Sequence, residues 1–216
     1  MNNNKFGDDF FIAISGIIGA GKSTLAEALG QVTGLPVFYE PVIDNAYLVD
    51  FYRDMQRYSF QLQIYLLNRR FQQQQHLVWS GRGGIQDRSI YEDSVFATML
   101  KDSGLMEQRD YDTYMSLFRN MSNFMRRPSL IVHLDVTPQQ SLERIKQRGR
   151  AAEQQISEQY LVALSTAYER FLLDISKIVP VIRVDWNKRD NNIEAVAQRI
   201  KHEYEQLLNV KKITAD

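Results

Sequence analysis

The nine residues GIIGAGKST, at positions 16–24, decide the fold of this chain. They fit the pattern G-x-x-x-x-G-K-[ST], and they stand between an apolar strand-like run at 10–14 and a helix-forming run at 25–29. This context predicts a phosphate-binding loop, because glycines let backbone N–H groups turn toward a phosphate and the helix adds the positive end of its dipole. Lys22 is placed to bridge the β- and γ-phosphates of a nucleoside triphosphate, and Ser23 is placed to hold Mg²⁺. The residues predicted to bind the phosphates are Gly16, Gly19, Ala20, Gly21, Lys22, Ser23 and Thr24.

The composition favours one domain with one sizeable core, since the chain has 216 residues of which 44% are hydrophobic. The formal net charge is +0, so the sequence predicts neither a nucleic-acid partner nor a membrane partner. There is no Cys, which excludes disulfides and thiolate metal sites and fits a reducing compartment, the cytoplasm. No apolar run has the length of a membrane span, and we expect residues 1–9 to be a disordered lead-in rather than a secretory signal.

Short apolar strands alternate with helices along the chain, which predicts an α/β fold with a five-stranded parallel sheet flanked by helices. The predicted strands are 10–15, 37–39, 85–87, 130–134 and 180–184. The predicted helices are 22–32, 58–79, 91–100, 111–125, 138–147, 157–178 and 193–208, and the segment 45–54 is ambiguous between a loop and a helical turn. We expect a single domain at 10–209, followed by a tail at 210–216.

Ligands of parallel sheets bind beyond the carboxyl ends of the strands, so residues that follow a strand are candidates for chemistry. Glu40 follows the second strand and can accept a proton from a hydroxyl in line with the γ-phosphate, although a surface Glu before a proline is the alternative. Asp87 and Arg88 follow the third strand. Asp87 is placed to bind Mg²⁺, and Arg88 can neutralise charge on a transferred phosphoryl group. The alternative for that pair is a structural ion pair.

A basic segment, RIKQRGR at 144–150, follows the fourth strand. Arg144 and Arg148 are four residues apart and share a helix face, whereas Arg150 lies beyond Gly149. These arginines indicate a lid over a triphosphate, with a solvated basic helix face as the alternative. His133 lies inside a strand and is predicted to be a hydrogen-bonded core residue rather than a catalyst.

The motifs, taken together and in order, resemble the deoxyribonucleoside kinases of the deoxycytidine, deoxyguanosine and deoxyadenosine kinase group. The resemblance runs from Ile12 to about Asp185. It rests on GIIGAGKST, YEP at 39–41, RYSFQLQIYLLNRR at 57–70, DRSIYEDSVFA at 87–97 and ERIKQRGRAAE at 143–153. It implies a P-loop kinase fold with a short arginine-rich lid at about 144–156.

The resemblance also implies roles for individual residues. Glu40 would be the general base for a sugar 5′-hydroxyl, and Arg88 would hold that hydroxyl and the transferred phosphate. Asp185 would lie in the loop that borders the donor adenine. One departure is Ala152, where related kinases often carry a second acid beside Glu153. The other residues that match the family's substrate-binding and lid positions are Tyr52 and Glu153 for the 3′-hydroxyl, Gln63, Arg70 and Asp93 for the base, and Arg144, Arg148 and Arg150 for the lid. From helical periodicity alone, Gln63, Arg70 and Asp93 are ordinary polar surface residues.

The predicted reaction is transfer of the γ-phosphate of ATP–Mg²⁺ to the 5′-hydroxyl of a deoxynucleoside. Arg70 only donates hydrogen bonds and an ionised Asp93 only accepts them, which suits adenine and leaves cytosine or guanine open. Thymine fits worst because it has no amino donor. The resemblance further implies a homodimer and feedback inhibition by a dNTP. The alternatives are a nucleoside monophosphate kinase and a non-catalytic nucleotide-binding subunit.

Overall fold

Five parallel strands form one sheet in the order β2-β3-β1-β4-β5. In the computed structural model, which describes residues 10–39, 45–79, 81, 83–187 and 192–213, the strands are β1 (Phe11–Ser15), β2 (Val37–Phe38), β3 (Gly84–Asp87), β4 (Leu130–Asp135) and β5 (Val181–Asp185). The predicted parallel sheet and its five strands are confirmed.

Eight α-helices connect and cover these strands within the described residues. They are α1 (Lys22–Thr33), α2 (Leu48–Arg53), α3 (Met55–Trp79), α4 (Asp93–Asp102), α5 (Gln108–Ser122), α6 (Pro138–Arg148), α7 (Glu158–Ile175) and α8 (Ile193–Ile213). Short 3₁₀ turns at Ile90–Glu92 and Ala151–Glu153 precede α4 and α7. None of the described helices is long and apolar enough to cross a membrane.

Several predicted helix ends were wrong by a few residues. The ambiguous segment 45–54 contains the helix α2. Helix α3 begins at Met55, earlier than predicted, because Asp54 Oδ1 accepts a hydrogen bond from Arg57 N at 3.1 Å and so satisfies a free amide of the first turn. Helix α5 ends at Ser122, where Met125 N bonds to Ser122 O in a tighter i, i+3 turn.

Strand β1 is buried along its whole length because both faces of the sheet are covered. On one face, Ile12 and Ile14 belong to the main core with residues of α1 and α8. On the other face, Phe11 and Ala13 pack in a smaller cluster with residues of α3 and α7. This double cover explains why the strand is a continuous apolar run rather than an alternating pattern.

The register of the sheet brings the chemical residues to one edge. Ile14 pairs with Asp87 of β3 and with Val132 of β4, so the chain leaves β1 and β3 at the same level. The loop at 16–21 and the residue Arg88 therefore emerge side by side. Arg88 N also donates a hydrogen bond to Ile14 O at 3.1 Å, which joins the two strand ends.

Candidate functional site

The loop between β1 and α1 has the backbone of a phosphate-binding loop and fits tightly into its surroundings. Gly19 and Gly21 have φ angles of 79° and 95°, in the left-handed region that glycine adopts without strain. A Cβ on Gly19 would lie 2.8 Å from Ser141 O of α6, and a Cβ on Gly21 would lie 2.8 Å from Trp186 Nε1. The loop is therefore wedged between α6 and the chain beyond β5, with the amino terminus of α1 facing the cleft.

Lys22 and Ser23 begin α1 in the positions predicted for a nucleoside triphosphate site. The Lys22 side chain is buried and its Nζ donates to Gly16 O and Ile17 O at 3.2 and 3.1 Å, which holds the ammonium across the loop. Ser23 is exposed to the cleft, and its hydroxyl donates to Asp87 Oδ2 at 2.5 Å. The loop and β3 are thus joined at the two residues predicted to hold the metal.

The pair Ser23 and Asp87 fits a Mg²⁺ ion. Asp87 Oδ1 is buried and has no hydrogen-bond partner in the described part of the chain, so an acceptor oxygen is left for a cation. Mg²⁺ prefers oxygen ligands and takes few of them from the protein, with waters and phosphates completing its shell.

Arg88 is a buried cation with an unusual backbone. Its φ of 67° makes it the one non-glycine residue with positive φ in the described ranges, and such strain is typical of functional sites. Its Nη1 donates to Tyr168 Oη at 2.6 Å, its Nη2 donates to Gly16 O at 3.3 Å, and its guanidinium lies 4.6 Å from the centre of the Phe96 ring. These contacts hold the guanidinium against the phosphate-binding loop.

Glu92 and Tyr168 lie behind Arg88, and neither was among the site residues predicted from the sequence. Tyr168 Oη donates to Glu92 Oε2 at 2.9 Å, and Ser89 N donates to Glu92 Oε1 at 3.2 Å. Burial raises the pKa of Glu92, while the charges of Arg88 and Lys22 and these hydrogen bonds oppose that rise. The signal for Glu92 in the sequence was an acidic residue three positions after Ser89 of the DRS motif.

Arg70 and Asp93 form a buried ion pair through Arg70 Nη1 and Asp93 Oδ1. They lie on α3 and α4, and the side chains are 3% and 0% exposed. Gln63 is also buried on α3, so the alternative of an ordinary polar surface face is wrong for all three residues. Two acceptor oxygens, Gln63 Oε1 and Asp93 Oδ2, have no hydrogen-bond partner among the described residues. Of the three, only Arg70 lines the cleft.

The arginines of the predicted lid have two kinds of partner. Arg144 donates to three backbone carbonyls, Ala20 O at 3.1 Å, Trp186 O at 2.6 Å and Asn187 O at 3.3 Å. It therefore ties α6 to the phosphate-binding loop and to the chain after β5. Arg148 and Arg150 instead pair with the buried carboxylate of Glu153. The side chains of these two arginines are 36% and 44% exposed at the cleft.

One cleft of about 720 Å³ connects the loop to Arg70. It contains Lys22, Ser23, Asp87 and Arg88 at one end and Tyr52, Glu153 and Arg70 farther along. The structure therefore brings together the predicted phosphate, metal and sugar residues. Further residues of the wall that the sequence analysis had not assigned are Leu66, Phe96, Tyr160 and Trp186.

Five predicted site residues of the described chain are not part of this wall, namely Gly16, Ala20, Gln63, Asp93 and Asp185. Glu40 falls outside the described residues. Asp185 is the last residue of β5 and accepts hydrogen bonds from Asn187 N and Nδ2 at 3.1 and 2.7 Å, whereas the next residue, Trp186, lines the cleft. The rule that ligands bind after a strand could have found Trp186, since it directly follows β5.

His133 is a hydrogen-bonded core residue, as the sequence predicted. Its Nδ1 lies 3.0 Å from Ser15 Oγ in the interior of the sheet, and only 4% of the residue is exposed. Burial lowers the pKa of His133 to about 4, so the imidazole is neutral near pH 7. It has no route to a substrate and serves the packing of β1 against β4.

A parallel sheet with a phosphate-binding loop, a carboxylate fit for Mg²⁺ and a buried arginine at its carboxyl edge defines a P-loop phosphotransferase. The chain belongs to the deoxynucleoside kinase family, whose model matches residues 12–209. It is therefore an enzyme that phosphorylates deoxynucleosides, and the family implies ATP as the phosphate donor. This confirms the predicted deoxynucleoside kinase activity over the nucleoside monophosphate kinase and the non-catalytic alternatives.

Named relatives and solved structures agree with this family. The chain is 60% identical to the deoxyadenosine kinase of Dictyostelium discoideum over 202 residues, which cover 94% of this chain and 82% of the relative. It is 37% identical to the deoxyadenosine/deoxycytidine kinase of Bacillus subtilis over 208 residues, covering 93% and 95% of the two chains. Two solved structures of deoxyadenosine kinase from M. mycoides, one with bound dCTP and one with bound dATP, match this chain with a TM-score of 0.80 at 30% identity. The matches cover 90% and 91% of this chain, respectively, and 100% of each M. mycoides chain.

Proposed function

We propose that this enzyme transfers the γ-phosphoryl group of ATP–Mg²⁺ to the 5′-hydroxyl of deoxyadenosine, with deoxycytidine and deoxyguanosine as further substrates. The observation that supports this most is the continuous cleft of about 720 Å³, which runs from the phosphate-binding loop to Arg70. A donor phosphate on the loop and a nucleoside beside Arg70 would share one cleft. Phosphoryl transfer depends mainly on such positioning and on charge stabilisation.

Each part of the reaction has a proposed residue. Glu40 takes the proton from the 5′-hydroxyl. Arg88 and Lys22 stabilise the negative charge on the transferred group, and Arg148 and Arg150 reach the phosphates when they leave Glu153. Ser23 and Asp87 would hold Mg²⁺, which supplies further charge neutralisation. The sugar 3′-hydroxyl lies against Tyr52 and Glu153.

The proposed preference for deoxyadenosine follows from hydrogen-bond chemistry. Arg70 at the cleft wall offers donors to a ring nitrogen such as N7. Asp93 and Gln63 do not line the cleft, but they carry the buried, unpartnered acceptors described above, which a base that displaced Arg70 would reach. An exocyclic amino group would satisfy one of these acceptors, and thymine has no such group. The relatives named as deoxyadenosine kinases support the same choice.

The direct test is an ATP–Mg²⁺ phosphorylation assay with deoxyadenosine, deoxyguanosine, deoxycytidine and thymidine. We expect the highest kcat/KM for deoxyadenosine and the lowest for thymidine, and the reverse order would refute the proposed base recognition. Glu40→Gln should lower kcat by at least about 100-fold. Glu27→Gln, an exposed change on α1, is the matched control and should leave kcat unchanged.

We also propose feedback inhibition by the product triphosphate. A dNTP could place its base and sugar beside Arg70 and its phosphates on the loop, because both regions belong to one cleft. The dCTP and dATP found in the M. mycoides enzyme support this mode of binding. dATP should then compete with both ATP and deoxyadenosine in steady-state kinetics. Competition with ATP alone would show that dATP acts only as a donor analogue.

A homodimer is proposed through α4 and α7. A second, more apolar groove of about 370 Å³ lies between these helices, and Leu173 and Ile178 beside it are 69% and 59% exposed. Exposed apolar side chains of this kind are typical of surfaces that a second copy covers. Sedimentation should give a dimer, and Leu173→Glu should dissociate it. Val162→Glu, a change at a 46% exposed residue near the start of α7, should leave the dimer intact. A monomeric parent enzyme at assay concentration would refute the proposal.

A further inference from the structure

We propose that Glu92 is a positioning residue for phosphoryl transfer: through the hydroxyl of Tyr168, its carboxylate fixes the guanidinium of Arg88. The inference rests on the proposed role of Arg88 in stabilising the transferred group. Neither Glu92 nor Tyr168 lines the cleft, so neither would touch the substrate or the reacting atoms. Both would act through Arg88.

The three side chains form a directed chain of hydrogen bonds. A tyrosine hydroxyl has one proton to donate, and here Tyr168 Oη lies 2.9 Å from Glu92 Oε2. Because the proton points to the carboxylate, the oxygen lone pairs are left to accept from Arg88 Nη1 at 2.6 Å. The carboxylate thus sets the rotation of the hydroxyl, and the hydroxyl sets the position of the guanidinium.

Glu92 is itself held from a second side, so it is a fixed reference point. Its other oxygen accepts from Ser89 N at 3.2 Å, one residue beyond Arg88 in the chain. The backbone of Arg88 is in the left-handed region, which aims its side chain back toward the loop. The backbone at 88–89 therefore holds Glu92 close to Arg88, and the hydroxyl of Tyr168 in α7 joins the carboxylate to the guanidinium.

Aromatic packing keeps Tyr168 in place. Its ring lies edge-on to Phe96, with centroids 6.2 Å apart, and 5.5 Å from the His133 ring. Phe96 also lies beneath the Arg88 guanidinium at 4.6 Å. Because the Tyr168 ring is packed on two sides, its hydroxyl stays in a fixed position between the Glu92 carboxylate and the Arg88 guanidinium.

The charges support the same role. Glu92 is completely buried, and a buried carboxylate is costly unless cations or hydrogen-bond donors stabilise it. Arg88 and Lys22 are the cations whose charges act on it. One carboxylate thereby partly balances two cations that would otherwise repel each other beside the loop.

The test measures kcat and KM for ATP and deoxyadenosine in Glu92→Gln and Tyr168→Phe. Each variant removes a hydrogen-bonding group of the chain Arg88–Tyr168–Glu92 while keeping the side-chain shape. We expect kcat to fall about tenfold, as when one charge-assisted hydrogen bond is lost. Both KM values should stay within about twofold of the parent values. The double variant should match the single variants because both changes break the same route. Tyr111→Phe is the control, since it removes a tyrosine hydroxyl that bonds to Thr98 rather than to Arg88 or Glu92.

The outcomes separate this inference from the proposed function. If Arg88→Lys keeps the parent kcat, the proposed role of Arg88 fails. If Arg88→Lys loses activity while Glu92→Gln and Tyr168→Phe keep the parent kcat, the positioning inference alone is overturned. A purely structural role would lower the unfolding temperature without lowering kcat of the folded enzyme. Should Glu92→Gln not fold, Tyr168→Phe decides the question, because it leaves the carboxylate in place.

Discussion

Substitutions in the buried pair Arg70–Asp93 should change the unfolding free energy and the recognition of the base in different ways. In Asp93→Ala the guanidinium of Arg70 stays 3% exposed without its counter-charge, and in Arg70→Met the carboxylate stays fully buried. Removing one partner of a buried ion pair costs about 3–5 kcal/mol, because the remaining charge is uncompensated. Each single variant should therefore lose about that much unfolding free energy.

The double variant Arg70→Met/Asp93→Ala should recover most of this loss, since an apolar replacement of a buried pair is close to neutral. It should not recover activity on deoxyadenosine, because the donors and acceptors for the base are gone. We expect kcat/KM for deoxyadenosine to fall at least about 100-fold, as when a buried polar contact to a substrate is lost. Thymidine should lose far less, so the ratio of the two activities changes.

Urea unfolding measures the first effect, and the four-nucleoside assay measures the second. The reasoning is refuted if either single variant is as stable as the parent, or if the double variant is no more stable than the worse single one. Base recognition by this pair is refuted separately if the double variant keeps the parent preference for deoxyadenosine. Both measurements use the same four proteins, so a folding defect cannot be mistaken for a change of specificity.

Three further predictions follow from the geometry. Gly19→Ala should cost about 2–4 kcal/mol of unfolding free energy, because the left-handed backbone disfavours Ala and the new Cβ would lie 2.8 Å from a carbonyl oxygen of α6. Gly149→Ala is the control: its φ is also positive, at 67°, but the Cβ would meet open space, so it should cost about 1 kcal/mol. Equal losses of the two variants in urea unfolding would contradict this reasoning. Asp87→Asn should raise the Mg²⁺ concentration for half-maximal activity by at least about tenfold, and an unchanged Mg²⁺ titration would exclude Asp87 as a ligand. His133 has a pKa of about 4 in the folded protein against 6.5 for the free side chain, so the unfolded chain binds the proton first as pH falls. This difference should lower the unfolding free energy by about 2.5 kcal/mol from pH 6.5 to pH 4, and His133→Asn, followed by urea unfolding at several pH values, should remove this part of the pH dependence.

The parts of the protein that sequence predicts well are those made by neighbouring residues. The phosphate-binding loop is a contiguous stretch between a buried strand and a helix, so its glycines, Lys22 and Ser23 could be placed without tertiary information. The start of α6 is also local, because Thr137 accepts a hydrogen bond from Gln140 N and Pro138 occupies the first turn. Strand β1 was recognisable since a strand covered on both faces is a continuous apolar run.

Only the tertiary structure decided which distant side chains act together. Tyr168 lies eighty residues beyond Arg88, yet its hydroxyl accepts a hydrogen bond from Arg88 Nη1 at 2.6 Å. Arg144 was predicted for the lid, but its bonds to Ala20 O and Trp186 O depend on how α6 packs against the loop. No local pattern encodes such contacts, because they arise from the parallel register of the sheet and from helices that return over its edge. The loop at 16–24 thus predicts that a nucleoside triphosphate is bound. Which acceptor receives the phosphate depends on the side chains that pack around Arg88 and Arg70.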